Sequence, residues 1–211
     1  MSPNLLGIRI MHRAMRADAR RLALLVEELA AGRQQADQER LRAIAEFATR
    51  LCAGIHHHHR AEDEALWPVL ARSAGPEVDL DGLTEDHEAL DPLLEEITDV
   101  AARLQSDTGA PASLAKSCAA LADLLDEHIE EEERLLFPVI LRYVSESDWQ
   151  QVENAARKGG DIRFDLPRIA QYAHEDELAE LRRAAGPVLM LLLRLLNRGH
   201  LRRQRLIFGQ A

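Results

Sequence analysis

The sequence predicts an all-α protein: an up-down four-helix bundle with an additional C-terminal helical segment. Three observations carry that expectation. Ala, Leu, Arg and Glu dominate and aromatic residues make up only 4% of the chain, a composition that favours helix over strand. Apolar residues recur at steps of three and four along four long stretches. No segment shows the two-residue alternation of a half-buried strand. A chain of 211 residues is long enough for one buried core, or one core and a small appendage.

The elements follow in order. Helix 1 is expected over residues 4–31 and helix 2 over 37–71, where Gly75-Pro76 ends it. Helix 3 is expected over 81–105. Gly109 and Pro111 break the chain again, and helix 4 covers 111–143 with Pro111 in its first turn. Shorter helices follow. Ser147-x-x-Gln150 reads as a capping box, Gly159-Gly160 and Pro167 interrupt, a helix covers 168–183, and a last helix runs from Gly186-Pro187 to 205. The bundle is therefore expected over 1–144, with a helical extension packed on it over 145–211.

Charge and composition exclude several classes. A net charge of −10 argues against a nucleic-acid partner. The end of the chain is nevertheless basic, with Arg182, Arg183, Arg194, Arg198, Arg202, Arg203 and Arg205 and no acidic residue from Leu181 onward. Cys52 and Cys118 fall in helical patterns without CxxC spacing, so buried reduced thiols are expected. Residues 1–10 lack a signal-peptide apolar region, and the apolar stretch 188–196 carries Arg194 and is too short to span a bilayer. A cytoplasmic chain with no membrane span is expected. The segment 187–208, apolar and then basic, suits packing on the bundle or a homodimer contact.

The histidines carry the chemistry. In helix 1, Leu5, Ile8, Met15, Ala19, Leu22, Val26 and Leu29 form the core stripe, and His12 fills its missing slot. In helix 3 the stripe is Leu83, His87, Leu90, Leu94, Ile97, Ala101 and Leu104. In helix 2 it is Leu51, Ile55, His58, Glu62, Ala65 and Val69, and in helix 4 it is Leu121, Leu125, His128, Glu132, Leu135 and Val139. Each helix thus turns one histidine inward, and helices 2 and 4 each add a glutamate. His58 and Glu62 are four apart, as are His128 and Glu132, so each pair stacks on one helix face. The two stretches repeat one motif: His58-x-x-x-Glu62-Asp63-x-x-Leu66-Trp67-Pro68-Val69 matches His128-x-x-x-Glu132-Glu133-x-x-Leu136-Phe137-Pro138-Val139. Two copies about a pseudo-twofold axis bring these side chains together at the bundle centre.

Energetics points to a cation. An isolated carboxylate buried in a bundle costs several kcal/mol unless it is paired or metal-bound. Two of them with four imidazoles, and no Lys or Arg on the same stripes, require a positive partner. His12, His58, Glu62, His87, His128 and Glu132 are thus the expected metal ligands. Six N/O donors without sulfur exceed a tetrahedral zinc site, and the imidazoles argue against calcium or magnesium. Two iron ions bridged by the glutamates and a solvent oxygen fit best, with manganese or zinc less suited. Ferritin-like di-iron sites use four glutamates and two histidines. Fewer anionic ligands favour Fe(II), and so a centre that binds or reduces O2, H2O2 or NO.

At these residues the chain resembles the hemerythrin-like, or HHE cation-binding, family of bacterial type, over about 5–143. The resemblance implies a four-helix bundle with a non-haem di-iron centre and carries over the same six ligands. Members of that family include oxygen carriers, oxygen or iron sensors, and proteins that handle peroxide or nitric oxide. The chain departs from hemerythrins proper at Asp91, where they have a second helix-3 histidine, and at Glu132-Glu133, where they have an aspartate five residues after the helix-4 histidine.

Other residues were weighed beside these. Asp91 is a candidate for an extra ligand, a neighbour that supports the ligands or a solvated carboxylate, and His59 for a solvent-facing residue, a supporting neighbour or an extra ligand. His56 and His57 suit solvent-facing positions. Trp67 and Phe137 suit core packing, or a pocket beside the metal. Three further functions compete with small-molecule redox chemistry: an iron or oxygen sensor signalling through the C-terminal segment, a di-iron oxygenase acting on a small organic substrate, and a structural metal bundle.

Overall fold

The computed structural model describes residues 2–209; Met1, Gln210 and Ala211, the ends of the two expected segments, lie outside the described residues. The described residues are helical with no strand. The long helices are α1 (Leu6–Ala30), α2 (Gln38–Ala61), α4 (Asp81–Ala102) and α5 (Ala110–Tyr143). The short helix α3 (Trp67–Ser73) extends α2 across a π turn at Glu62–Leu66. Helix α1 packs along α5, and α4 fills the space against both α2 and α5.

The expected continuous helix 2 is corrected at this π turn. Pro68 has no amide hydrogen, and its ring would clash with the carbonyl four residues back in a regular helix. Widening the turn relieves that conflict, and the Trp67 amide donates to the Glu62 carbonyl, five residues away. The inserted residue also moves the buried stripe. Leu66, Trp67 and Leu70 are buried, whereas the expected Ala65 is only half-buried. In α5 the stripe after Glu132 likewise advances by one, to Leu136 and Ile140 in place of Leu135 and Val139. A straight helix drifts by about 20° per heptad from a 3.5-residue stripe, which is enough to shift the register over this length.

Beyond the bundle come α6 (Glu146–Arg157), α7 (Ile162–Tyr172) and α8 (Glu175–Phe208). The cap of α6 is Ser145, whose side chain accepts from the Asp148 amide, rather than the expected Ser147. Pro167 lies inside α7 and does not interrupt it. The break falls instead at Ala173–His174, where the backbone is extended and His174 with Glu177 forms a capping box. Gly186 breaks α8 as expected, because its φ of 68° is left-handed and suits only glycine.

These helices lie on the α1–α2 face of the bundle. Phe164 of α7 and Ile207 of α8 enter the main core, where Phe164 and Phe208 both meet the edge of Phe47. A buried ion pair adds a polar anchor. Arg168 Nε donates to Asp18 of α1 at 2.6 Å, and both side chains are fully buried. The Tyr172 hydroxyl donates to the other oxygen of Asp18. The middle of α8 is different: Val188, Leu191 and Leu195 remain exposed.

Candidate metal centre

The bundle interior has two apolar layers. One is centred on Met15, Ile55, Leu90 and Leu125; the other on Leu66, Leu83, Leu136 and Phe137. On each long helix the inward histidine falls between them. His12, Glu62, His87, His128 and Glu132 are all buried, and the His58 side chain is only 13% exposed.

The six expected ligands converge. His12 Nε2 lies 3.0 Å from His58 Nε2 and 3.4 Å from Glu132 Oε2. His58 Nε2 is 3.1 Å from Glu62 Oε1, and His87 Nε2 is 3.6 Å from Glu62 Oε2. His128 Nε2 lies 4.0 Å from Glu132 Oε2. Among the described residues two adjacent groups can hold a metal ion: His12, His58, Glu62 and Glu132 form one, and His59, His87 and His128 form the other.

Three outer carboxylates hold the imidazoles in place. His12 Nδ1 pairs with Glu133 at 2.9 Å, His87 Nδ1 with Asp63 at 2.9 Å, and His128 Nδ1 with Asp86 at 3.2 Å. With Nδ1–H donated outward, each Nε2 keeps its lone pair for the centre. Asp63 and Glu133 directly follow Glu62 and Glu132. The doubled motif held that signal, since an acid follows the glutamate in both copies. Asp86 sits just before His87 and had no comparable signal.

The centre is buried and electrostatically frustrated without a cation. Burial pushes both Glu62 and Glu132 up to about 8, with the Glu62 charge adding to the effect at Glu132. Burial also holds His58, His59 and His87 below the usual imidazole range and lowers His128 to about 4. All four carboxylate oxygens of Glu62 and Glu132, and Nε2 of His87 and of His128, are buried without a hydrogen-bond partner. Such unpartnered atoms are rare in a protein interior unless something else satisfies them, and a cation held between them would do so. The donor set fits a metal.

A family model for the hemerythrin HHE cation binding domain matches residues 7–140. The chain belongs to the hemerythrin HHE family. No curated protein and no solved structure matches it. The match spans every residue of the buried His/Glu cluster, which makes that cluster the candidate cation site of the domain.

The remaining candidates divide. His59 is buried within the centre, its ring stacked on His87 at 4.2 Å. Asp91 is not in the centre. It is exposed and pairs with His56 at 2.9 Å, because one turn beyond His87 the α4 surface has already rotated outward. His57 bonds the Ala156 carbonyl at 2.9 Å and so ties α2 to the end of α6. Trp67 and Phe137 are packing residues: Trp67 stacks on His87 and Phe137 on His12, and neither lines the cavity described next. That cavity of about 220 Å3 lies between α1, α2 and the C-terminal helices. It touches His58 and Glu62 on its inner side, beside Met11, Met15 and Leu66, and Val152 and Ile169 close its outer side. The sequence reading missed it because its outer wall comes from the C-terminal segment. Among the described residues no helix is long and apolar enough to cross a membrane.

Proposed function

We propose that this HHE domain binds two iron ions and uses them to bind or turn over O2, H2O2 or NO. In this reading His12, His58, Glu62, His87, His128 and Glu132 would hold the ions. The observation that supports it is the pair of buried, mutually facing carboxylates with unpartnered oxygens, set among imidazoles whose outer nitrogens are already bonded. Two carboxylates and several neutral imidazoles suit iron, whereas Cys52 and Cys118 are buried in the apolar core and supply no sulfur. When bound, the ions supply Lewis acidity and electrons to the small ligand.

The chain's own residues prepare that chemistry. Glu133, Asp63 and Asp86 fix the imidazole tautomers and aim Nε2 inward. Trp67 and Phe137 cover His87 and His12 and exclude water from that side. The cavity beside His58 and Glu62 gives an uncharged diatomic molecule a largely apolar approach. No protein nucleophile is required.

One observation favours a second reading, an oxygenase acting on a small organic molecule: the cavity touches two of the ligands. Its volume of about 220 Å3 lies below the range of roughly 300–1,000 Å3 usual for drug-sized ligands, so only a small substrate would fit. The test is iron content with an electronic spectrum, for wild type and His58→Ala, followed by addition of O2, peroxide or NO to the reduced protein. About two irons per chain, near-ultraviolet bands lost in His58→Ala, and rapid reaction support the first reading. One zinc per chain, or a folded chain that takes up no iron, overturns it. Val152→Trp, which narrows the cavity, separates the two readings: an organic substrate is excluded, while a diatomic still reacts.

A further inference from the structure

We propose that His59 is a further iron ligand, a fifth histidine supplied by α2 immediately after His58. The inference rests on the di-iron reading above.

Successive residues on a helix point about 100° apart, so neighbours cannot serve the same side of one stripe. His58 and His59 use that angle. His58 faces α1, with its Nε2 3.0 Å from His12 Nε2. His59 turns toward α4 and α5, parallel to the His87 ring within 9° at 4.2 Å and edge-on to His128 at 5.2 Å. One ligand nitrogen from each of His59, His87 and His128 lies within 4.8 Å of the other two, close enough to surround one ion. Without His59 that group would contain two histidines only.

Hydrogen bonding sets His59 apart. It is 2% exposed, and neither ring nitrogen has a partner. His12, His87 and His128 each have a carboxylate on Nδ1; His59 has none. As a mere packing residue it would bury two polar atoms for no return, a cost that leucine would avoid. As a ligand, one nitrogen gains the strongest partner in the core. No residue of α4 takes the position instead, because Asp91 is exposed and bonded to His56. A fifth imidazole is neutral, so it adds a donor without changing the charge of the centre.

The experiment compares wild type, His59→Leu, His59→Phe and His58→Ala, metal-free and loaded with iron-57. It measures iron per chain, the rate of iron release to a chelator, Mössbauer spectra and melting temperature. Phenylalanine keeps a flat ring stacked on His87, in case leucine packs poorly. The expected result is a metal-free variant that melts at or above wild type, releases iron about tenfold faster or more, and shows a changed doublet for one iron while the other is kept. Two irons bound with the wild-type release rate and doublets in either folded variant overturn the proposal and leave the six-ligand reading standing. An equal loss of melting temperature with and without metal, at an unchanged release rate, also overturns it. Failure of wild type to bind iron overturns both readings.

Discussion

Arg168→Met removes the cation of the buried pair that anchors the C-terminal layer to α1. The guanidinium is 1% exposed, and its Nε sits 2.6 Å from an Asp18 carboxylate that is itself fully buried. A second contact, Nη1 to Asp165 at 3.0 Å, is lost as well. Removing one partner of a buried pair costs about 3–5 kcal/mol, because the other charge is left uncompensated. Asp18 is not left bare, since the Tyr172 hydroxyl and Arg21, 3.5 Å away, remain. That places the cost at the lower end, about 3 kcal/mol. For a chain of this size each kcal/mol shifts melting by about 2–4 °C, so the loss should be roughly 6–12 °C. The double variant Asp18→Leu/Arg168→Met removes both charges and should recover about 2 kcal/mol or more relative to Arg168→Met. The assay is urea unfolding of the metal-free protein by circular dichroism and by tryptophan fluorescence. Trp149 reports the C-terminal layer there, through its bond to the Asn4 carbonyl. A single-variant loss under about 1 kcal/mol, or a double variant no more stable than Arg168→Met, would refute the anchoring role. The outcome bears on function, because Arg168 and Asp165 also wall the cavity beside His58 and Glu62.

Three other outcomes follow from the same geometry. The raised carboxyls Glu62 and Glu132 should make stability of the metal-free protein fall as pH rises toward about 8, while below 6.5 the depressed His58, His59, His87 and His128 act in the opposite direction and outnumber them; a urea-midpoint series should peak near pH 6.5 and flatten once iron replaces the protons. Glu133→Gln and Asp63→Asn keep the fold but loosen His12 and His87, and chelator competition should show metal affinity lower by about 10–100-fold. Burial pushes the Cys52 thiol up to about 12 and raises Cys118 as well, so neither should react with a thiol reagent until denaturant is added; a fast native reaction would contradict the packing around them.

Much of the centre was legible in the chain. His12 and His87 stand in otherwise apolar stripes, and a polar residue in such a stripe is costly enough to signal a purpose. The doubled His-x-x-x-Glu motif gave the rest, because four-residue spacing on a helix is itself a geometric statement. Less legible were residues whose role depends on facing another element. Asp18, on α1, carries no signal in the sequence, yet it is fully buried against Arg168 from 150 positions away. Asp91 has the residue type and the spacing of a ligand, and only its surroundings separate the readings: its side chain meets His56 and solvent, as a solvated carboxylate does.

The sequence by itself determined the helical class, the inward-facing histidines and glutamates, and the order in which four helices present them, since periodicity and spacing are local properties of one chain segment. Only the tertiary structure decided that His59 turns into the centre while His56 turns away, that Asp63, Asp86 and Glu133 back the imidazoles, and that the C-terminal helices wall a cavity against His58 and Glu62. These depend on how far each helix is rotated about its own axis against its neighbours. Packing across the whole core fixes that rotation, and a π turn that inserts one residue is enough to change it.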